Sequence, residues 1–250
     1  MRYFVTFSYF GKAYHGWQSQ PNAVTVQQLM EEVFSTILRQ DVSLAGAGRT
    51  DAGVHARKMV AHFDCAGPLE APELIQRFNA FLPDDIAVQQ LVRVPDAAHA
   101  RFSALKRTYE YWIIQEKNPF YQDMAHYVRQ PLNLSEMNKA ASFLMDFEDF
   151  QCFSKSKTDV RTYTCRITEA VWKKDDRQLV FAISADRFLR NMVRAIVGTL
   201  VEVGQGKLNP QDVKTIIKSR DRARAGVSVP AKGLYLTEIV YPTNILEVNG

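Results

Sequence analysis

Cysteine is scarce in this 250-residue sequence. Cys65, Cys152 and Cys165 form an odd set without a C-x-x-C pair, so neither a disulfide framework nor a zinc site is expected, and a reducing compartment fits. Five histidines, His15, His55, His62, His99 and His126, show neither H-x-x-x-H nor H-E-x-x-H spacing, so no metal is expected. A nucleotide cofactor is excluded on similar grounds. Gly46-x-Gly48 begins like a phosphate loop, but Asp51 occupies the third glycine position, where a carboxylate repels phosphate, and no G-K-[ST] follows. Long apolar runs are missing too, and none approaches the roughly 20 residues of a membrane span. Arg2-Tyr3-Phe4-Val5-Thr6-Phe7 reads as a strand and lacks the layout of a secretory leader. These absences lead to the expectation of a soluble, cytoplasmic protein without organic cofactor or metal.

What is present suffices for sizeable cores: 46% of residues are hydrophobic, enough for one large domain or two of ordinary size. A formal net charge of +4 names no partner by itself. Its distribution says more. Basic residues gather at Lys155, Lys157, Arg161 and Arg166, at Arg187, Arg190 and Arg194, and at Lys218, Arg220, Arg222 and Arg224. Each cluster could be a solvated face, and together they fit a polyanion.

Periodicity orders the first half as β-α-β-β-α-β. An alternating strand spans 2 to 9, and an amphipathic helix from about 26 to 39 follows the capping pair Thr25 and Gln28. Val42-Ser43-Leu44-Ala45 and the alternating Met59 to Asp64 read as strands, Pro72 opens a helix to about Phe81, and Ile86 to Val94 is a strand. The second half repeats the order: a strand over Leu105 to Gln115, a helix from Asn133 to about Met145, strands near 162–172 and 178–184, and a helix from about Arg187 to Val203. An added helix opens at Asn209-Pro210, and a strand spans Leu234 to Tyr241. No residue-level repeat relates the halves. The pattern predicts an α+β fold of two ferredoxin-like halves with mainly antiparallel sheets around a central cleft, divided into 1–104 and 105–250.

The stretch Gly46-Ala47-Gly48-Arg49-Thr50-Asp51-Ala52-Gly53 lies between two of these strands. Its small residues permit close backbone approach or positive φ, and the bulkier polar groups left are Arg49, Thr50 and Asp51. Asp before Ala-Gly also makes an ordinary turn, its carboxylate accepting backbone N–H groups. Tyr109 and Tyr111 fit strand packing, yet Lys106-Arg107 beside Tyr109 also suits base stacking and phosphate contact. Arg187, Arg190 and Arg194, spaced by 3 and 4, would form one stripe on a helix.

Five spaced motifs resemble the TruA family of tRNA pseudouridine synthases. They are Gly11-x-x-Tyr14-x-Gly16-Trp17-Gln18-x-Gln20, then Gly48-Arg49-Thr50-Asp51-Ala52-Gly53-Val54-His55-Ala56, then His99-Ala100-Arg101-Phe102-Ser103-Ala104 with Arg107-Thr108-Tyr109-x-Tyr111, and finally Phe188-Leu189-Arg190-Asn191-Met192-Val193-Arg194 and Gly233-Leu234-Tyr235-Leu236. They run in order from the first strand to the last.

The resemblance implies an isomerase with the pseudouridine synthase fold, acting on uridines at positions 38, 39 and 40 of the tRNA anticodon stem-loop. Asp51 would be the catalytic aspartate, Tyr109 would pack on or hydrogen-bond the target base, Arg194 would pair with Asp51, and Leu234 would line the pocket. Arg49 would help extrude the target nucleotide. Apart from the resemblance, the stripe of Arg187, Arg190 and Arg194 without intervening acids favours phosphate or carboxylate binding, so Arg187 and Arg190 are expected to bind substrate. The resemblance further implies a homodimer with tRNA lying across both subunits, and no cofactor. The sequence departs from the family's habit at Asp146, Glu148 and Cys152, and at Ser228-Val229-Pro230. On residue types alone, a non-catalytic RNA-binding module and a nucleoside hydrolase are the competing readings.

Overall fold

A computed structural model describes residues 1–155 and 161–246, and Lys157 of the first basic cluster lies outside them. The chain forms two compact units, Met1–Arg107 with Leu236–Gly250, and Thr108–Tyr235. Strands β5 (Lys106–Ile114) and β9 (Leu234–Val240) each contribute residues to both. The end of the chain belongs with the first unit for local reasons: Leu105 N–H donates to the Val240 carbonyl at 2.8 Å, and Lys106 pairs with Glu238 at 3.0 Å.

In the first unit, β1 (Arg2–Tyr9) pairs antiparallel with both β3 (His55–Asp64) and β4 (Ile86–Val94), and the two-residue β2 (Ala45–Gly46) lies against β3. Helices α1 (Val26–Leu38) and α2 (Ala71–Phe81) complete it, with Phe34 and Phe78 stacked at 3.8 Å between ring centroids. Only half of the expected capping box forms. Thr25 accepts from the Gln28 N–H, but the Gln28 side chain turns to Glu32, one helical turn on.

The segment expected as a strand at 42–45 is held differently. Leu44 N–H donates to Glu31 Oε1 at 2.8 Å, and its carbonyl accepts from Gln27 Nε2 at 2.9 Å, so side chains of α1 take the place of a ladder partner. Gln27 is buried with its polar atoms occupied, since Oε1 accepts from Gln18 and Ser19 as well.

In the second unit, β7 (Ile167–Asp175) and β8 (Gln178–Ala185) form an antiparallel hairpin, and the short β6 (His126–Tyr127) runs parallel to β5. Asn133 caps α3 (Leu134–Ser142) by accepting from Glu136 N–H, and Asn209 and Asp212 close a full capping box on α5 (Pro210–Ser219). The fully apolar face of α4 (Met192–Gly204) lies in the core, with Ile196 and Val197 at 0% exposure. A four-residue helix, α6 (Thr243–Leu246), follows β9. The architecture is mixed α+β with mainly antiparallel strands, and the order of elements follows the one read from periodicity. Among the described residues all three cysteines are free thiols, and burial pushes Cys152 and Cys165 up to about 12.

One buried histidine makes stability depend on acid. His62 is 7% exposed, and burial together with Arg2 and His99 lowers its pKa to about 4, against weaker opposing effects of Asp64 and the Ala45 backbone. Its Nδ1 accepts the Ala100 N–H, and the His99 ring lies 4.5 Å away. A histidine neutral in the folded state but protonated when unfolded makes the unfolded chain bind more protons. Stability is therefore expected to fall as pH drops from about 6.5 to about 4, by roughly 2–3 kcal/mol for this group. Urea unfolding of wild type and His62→Gln across that window checks it: the variant should show the flatter slope.

Candidate active site

Asp51 sits on the loop between β2 and β3, half-buried, in the first unit. The loop is fixed chiefly through its neighbour. Thr50 Oγ1 hydrogen-bonds the Tyr9 hydroxyl at 2.8 Å and accepts from Trp17 N–H at 3.1 Å. Immediately after Asp51, Gly53 N–H donates to the Tyr14 carbonyl at 3.2 Å, and Val54 N–H donates back to the Asp51 carbonyl at 3.2 Å. On the entry side Ala47 N–H donates to Val60 at 2.8 Å, and Arg107 donates to the Ala47 carbonyl at 3.1 Å. Residues on either side of the carboxylate are thus tied to β1, to the segment after it, and to β3.

That segment, residues 11–17, comes close because two glycines admit it. Gly16 has φ +87°, and a Cβ there would stand 2.2 Å from the Thr50 carbonyl oxygen. A Cβ on Gly46 would meet Trp17 Nε1 at 2.4 Å. Trp17 itself is 1% exposed and packs on Phe7 at 5.2 Å, so the core of the unit reaches directly under the loop. His55, the first residue of β3, is buried: its Nδ1 accepts Gly11 N–H at 2.9 Å, and its ring stacks on Phe10 at 4.1 Å. This histidine supports the turn at Gly11.

Arg49 and Asp51 belong to the first unit, whereas Tyr109, Arg187, Arg190, Arg194 and Leu234 belong to the second. Arg49 is exposed on the same loop as Asp51, two residues away. Tyr109 is half-buried and meets Phe188 edge-on at 5.2 Å. Tyr111, on the same strand face by period, is fully buried and donates its hydroxyl to the Pro230 carbonyl at 2.8 Å; it is core, and burial raises its pKa. Leu234 is buried, directly after Gly233, which packs on Tyr111 and Trp112.

The arginine stripe requires a correction. The expected helix from Arg187 begins only at Met192, because Asn191 takes a left-handed conformation with φ 66° and ends any helical path from Arg187 and Arg190. Those two arginines lie in the connection before α4, and only Arg194 is helical. Their spacing therefore does not make a common helix face. Arg194 Nε donates to the Val229 carbonyl at 2.7 Å, while Val229 N–H donates to the Arg194 carbonyl at 3.2 Å. The departure at Ser228 falls in this same neighbourhood, where its hydroxyl accepts from Asn191 at 2.5 Å and Arg222 at 2.9 Å. The basic cluster near residue 220 is also partly engaged in structure, since Arg220 pairs with Asp149 at 2.9 Å and Arg222 donates to Ala225 and Gly226 carbonyls.

Residue types singled out Asp51 but not what holds it. Tyr9, Trp17 and Arg107 act on the loop from distant parts of the sequence, and the local signal for such support was the set of glycines at 11, 16, 46, 48 and 53.

The mixed α+β fold with mainly antiparallel strands is that of the pseudouridine synthases, which are isomerases. A family profile described as tRNA pseudouridine synthase matches residues 5–103 and 144–242. Similar proteins include the tRNA pseudouridine synthase A of Porphyromonas gingivalis, 52% identical over 248 residues and covering 98% of each chain, and that of Bacteroides fragilis, 48% identical with the same coverage. More distant is the tRNA pseudouridine synthase A of Thermoanaerobacter pseudethanolicus, 41% identical over 239 residues, or 95% of this chain and 98% of the relative. The chain belongs to the tRNA pseudouridine synthase family.

Proposed function

We propose that this protein isomerises uridines at positions 38, 39 and 40 of the tRNA anticodon arm to pseudouridine, with Asp51 as the catalytic carboxylate. Family membership along nearly the whole chain supports tRNA as substrate, and one observation carries the assignment to Asp51: its loop is locked on both sides of the carboxylate by Thr50, Gly53 and Ala47. An ordinary turn aspartate has no need of such bracing. A group that must act at one atom of a bound nucleotide does, because small misplacements are expensive in rate.

The reaction breaks the N1–C1′ bond, turns the uracil, and joins C5 to C1′; the hydrogen leaving C5 is balanced by one gained at N1. The Asp51 carboxylate either attacks C1′ or removes a ribose proton to give a glycal, and in both cases its charge stabilises positive charge developing on the sugar. Arg49 holds the backbone of the extruded nucleotide, and Tyr109, Leu234 and Arg194 serve base, pocket and carboxylate. Drawing a base out of its stack costs a few kcal/mol, and stacking on an aromatic ring such as Tyr109 returns about 1–3 kcal/mol. Arg187 and Arg190, together with the other basic clusters, contact phosphates and so read backbone shape in preference to sequence. The enzyme acts as a cytoplasmic homodimer with tRNA across both subunits, and needs no cofactor.

Nucleoside analysis of unmodified tRNA after incubation with the protein tests this reading. Pseudouridine should appear without free uracil. Released uracil would establish a nucleoside hydrolase, and unaltered nucleosides a binding module; either result overturns the proposal. Mapping pseudouridine in tRNA from a strain lacking the protein should show losses at positions 38 to 40.

A further inference from the structure

The motif His99-Ala100-Arg101-Phe102-Ser103-Ala104 has no part in the chemistry above, yet its structure is unusual for a connecting segment. Its backbone is tied down at nearly every residue. His99 N–H donates to Ser103 Oγ at 3.0 Å and Ser103 N–H to the His99 carbonyl at 2.9 Å, while the N–H groups of Arg101 and Phe102 point at His99 Nδ1. Ala100 is held from outside the segment, its N–H by His62 and its carbonyl by the Tyr241 hydroxyl at 2.6 Å. Despite this fixing, Phe102 is 75% exposed. A rigid loop that presents a large apolar ring to solvent forgoes burial that a flexible one could recover.

Two further observations say what covers the ring. The first is charge. The Arg101 guanidinium lies 5.5 Å from the centre of the Phe102 ring, and between Asp96 and Glu110 the charged residues are Arg101, Lys106 and Arg107, without an acid. The second is connection to the catalytic loop. Arg107 donates to the carbonyls of Arg101 and Ala104 and also to that of Ala47, where the Asp51 loop begins. One guanidinium therefore fixes the exposed ring and the catalytic loop to each other, all within the first unit.

We propose that Phe102, with Arg101 beside it, is a stacking platform for an unpaired nucleobase of the RNA substrate next to the target uridine. An aromatic face with the Arg101 guanidinium beside it suits a planar base on a polyanionic backbone, in a stretch whose own charged residues between Asp96 and Glu110 are all basic. The inference rests on the RNA-modifying function proposed above. Phe102 does no chemistry; it positions the strand from which the target base is drawn.

The test uses Phe102→Ala and Phe102→Trp with tRNA. Phe102→Ala should raise KM and Kd about 5- to 150-fold, the span of losing one base stack, with far less change in kcat and an unchanged Tm. Phe102→Trp should keep the affinity and report contact directly. Trp17, Trp112 and Trp172 are all buried, so the added indole is the exposed emitter, and tRNA should quench it. Measuring that quenching in an Asp51→Asn background separates stacking from turnover. If wild type makes no pseudouridine the function fails, whereas if it does and Phe102→Ala binds tRNA normally, or Trp emission is untouched, the platform fails. Dissociation of a dimer by Phe102→Ala without quenching in Phe102→Trp would assign the ring to a second copy of the chain and overturn the proposal.

Discussion

Asp51→Asn is expected to reduce pseudouridine formation by about 10⁴-fold or more while tRNA binding stays within a few-fold of wild type. The amide has nearly the shape of the carboxylate but neither its charge nor its nucleophilicity, and loss of a group acting covalently or as base has effects on this scale. The scaffold around it should survive the change, because the loop is also held by Thr50 Oγ1, by the Gly53 and Ala47 N–H groups and by Arg107. Single-turnover assays with enzyme in excess, paired with filter binding, distinguish the two quantities. Retained turnover would remove Asp51 from the mechanism, and loss of binding along with turnover would make it a structural residue.

Gly16→Ala should produce the second large effect, although residue 16 bears no functional group. Its φ of +87° strains any L side chain by roughly 1–2 kcal/mol, and the new methyl would stand 2.2 Å from the Thr50 carbonyl. Backbone cannot yield there as a flexible side chain would. Either the 11–17 segment or the Asp51 loop must move, and a displacement near 1 Å is enough to lower the rate about 10²-fold. Gly48→Ala is the matched control. It lies on the same loop, but its added Cβ meets no atom within 4 Å, so activity and Tm should change little. Thermal denaturation and the pseudouridine assay on both variants decide the matter: equal activities would mean that the close approach of residue 16 does not position Asp51.

Much of the fold was legible in the sequence because its signals are local. Pro72 in the first turn of α2, the Asn209 and Asp212 pair of α5, and the alternation of β1 and β4 each act through neighbours within four residues. Where a local rule misled, a single backbone conformation intervened. Arg187, Arg190 and Arg194 have helical spacing, yet the left-handed Asn191 places only the last of them on α4. Spacing indicates a shared face only if the residues between them are helical. Similarly, Leu44 looks like a strand residue, but Gln27 and Glu31 satisfy its backbone in place of a neighbouring strand.

Sequence by itself determined the order of elements, the family, and which carboxylate stands in the glycine-rich stretch, since each depends on residue identity and short-range pattern. Only the tertiary structure decided how that carboxylate is held. Thr50 is gripped by Tyr9 and Trp17, Gly16 slides beneath the Thr50 carbonyl, and Arg107 ties Ala47 to the segment bearing Phe102. These partners lie about 30 to 60 positions away along the chain, where no periodicity can reach. They meet because burying Phe7, Trp17 and Phe63 in one core folds the strands that carry them onto each other.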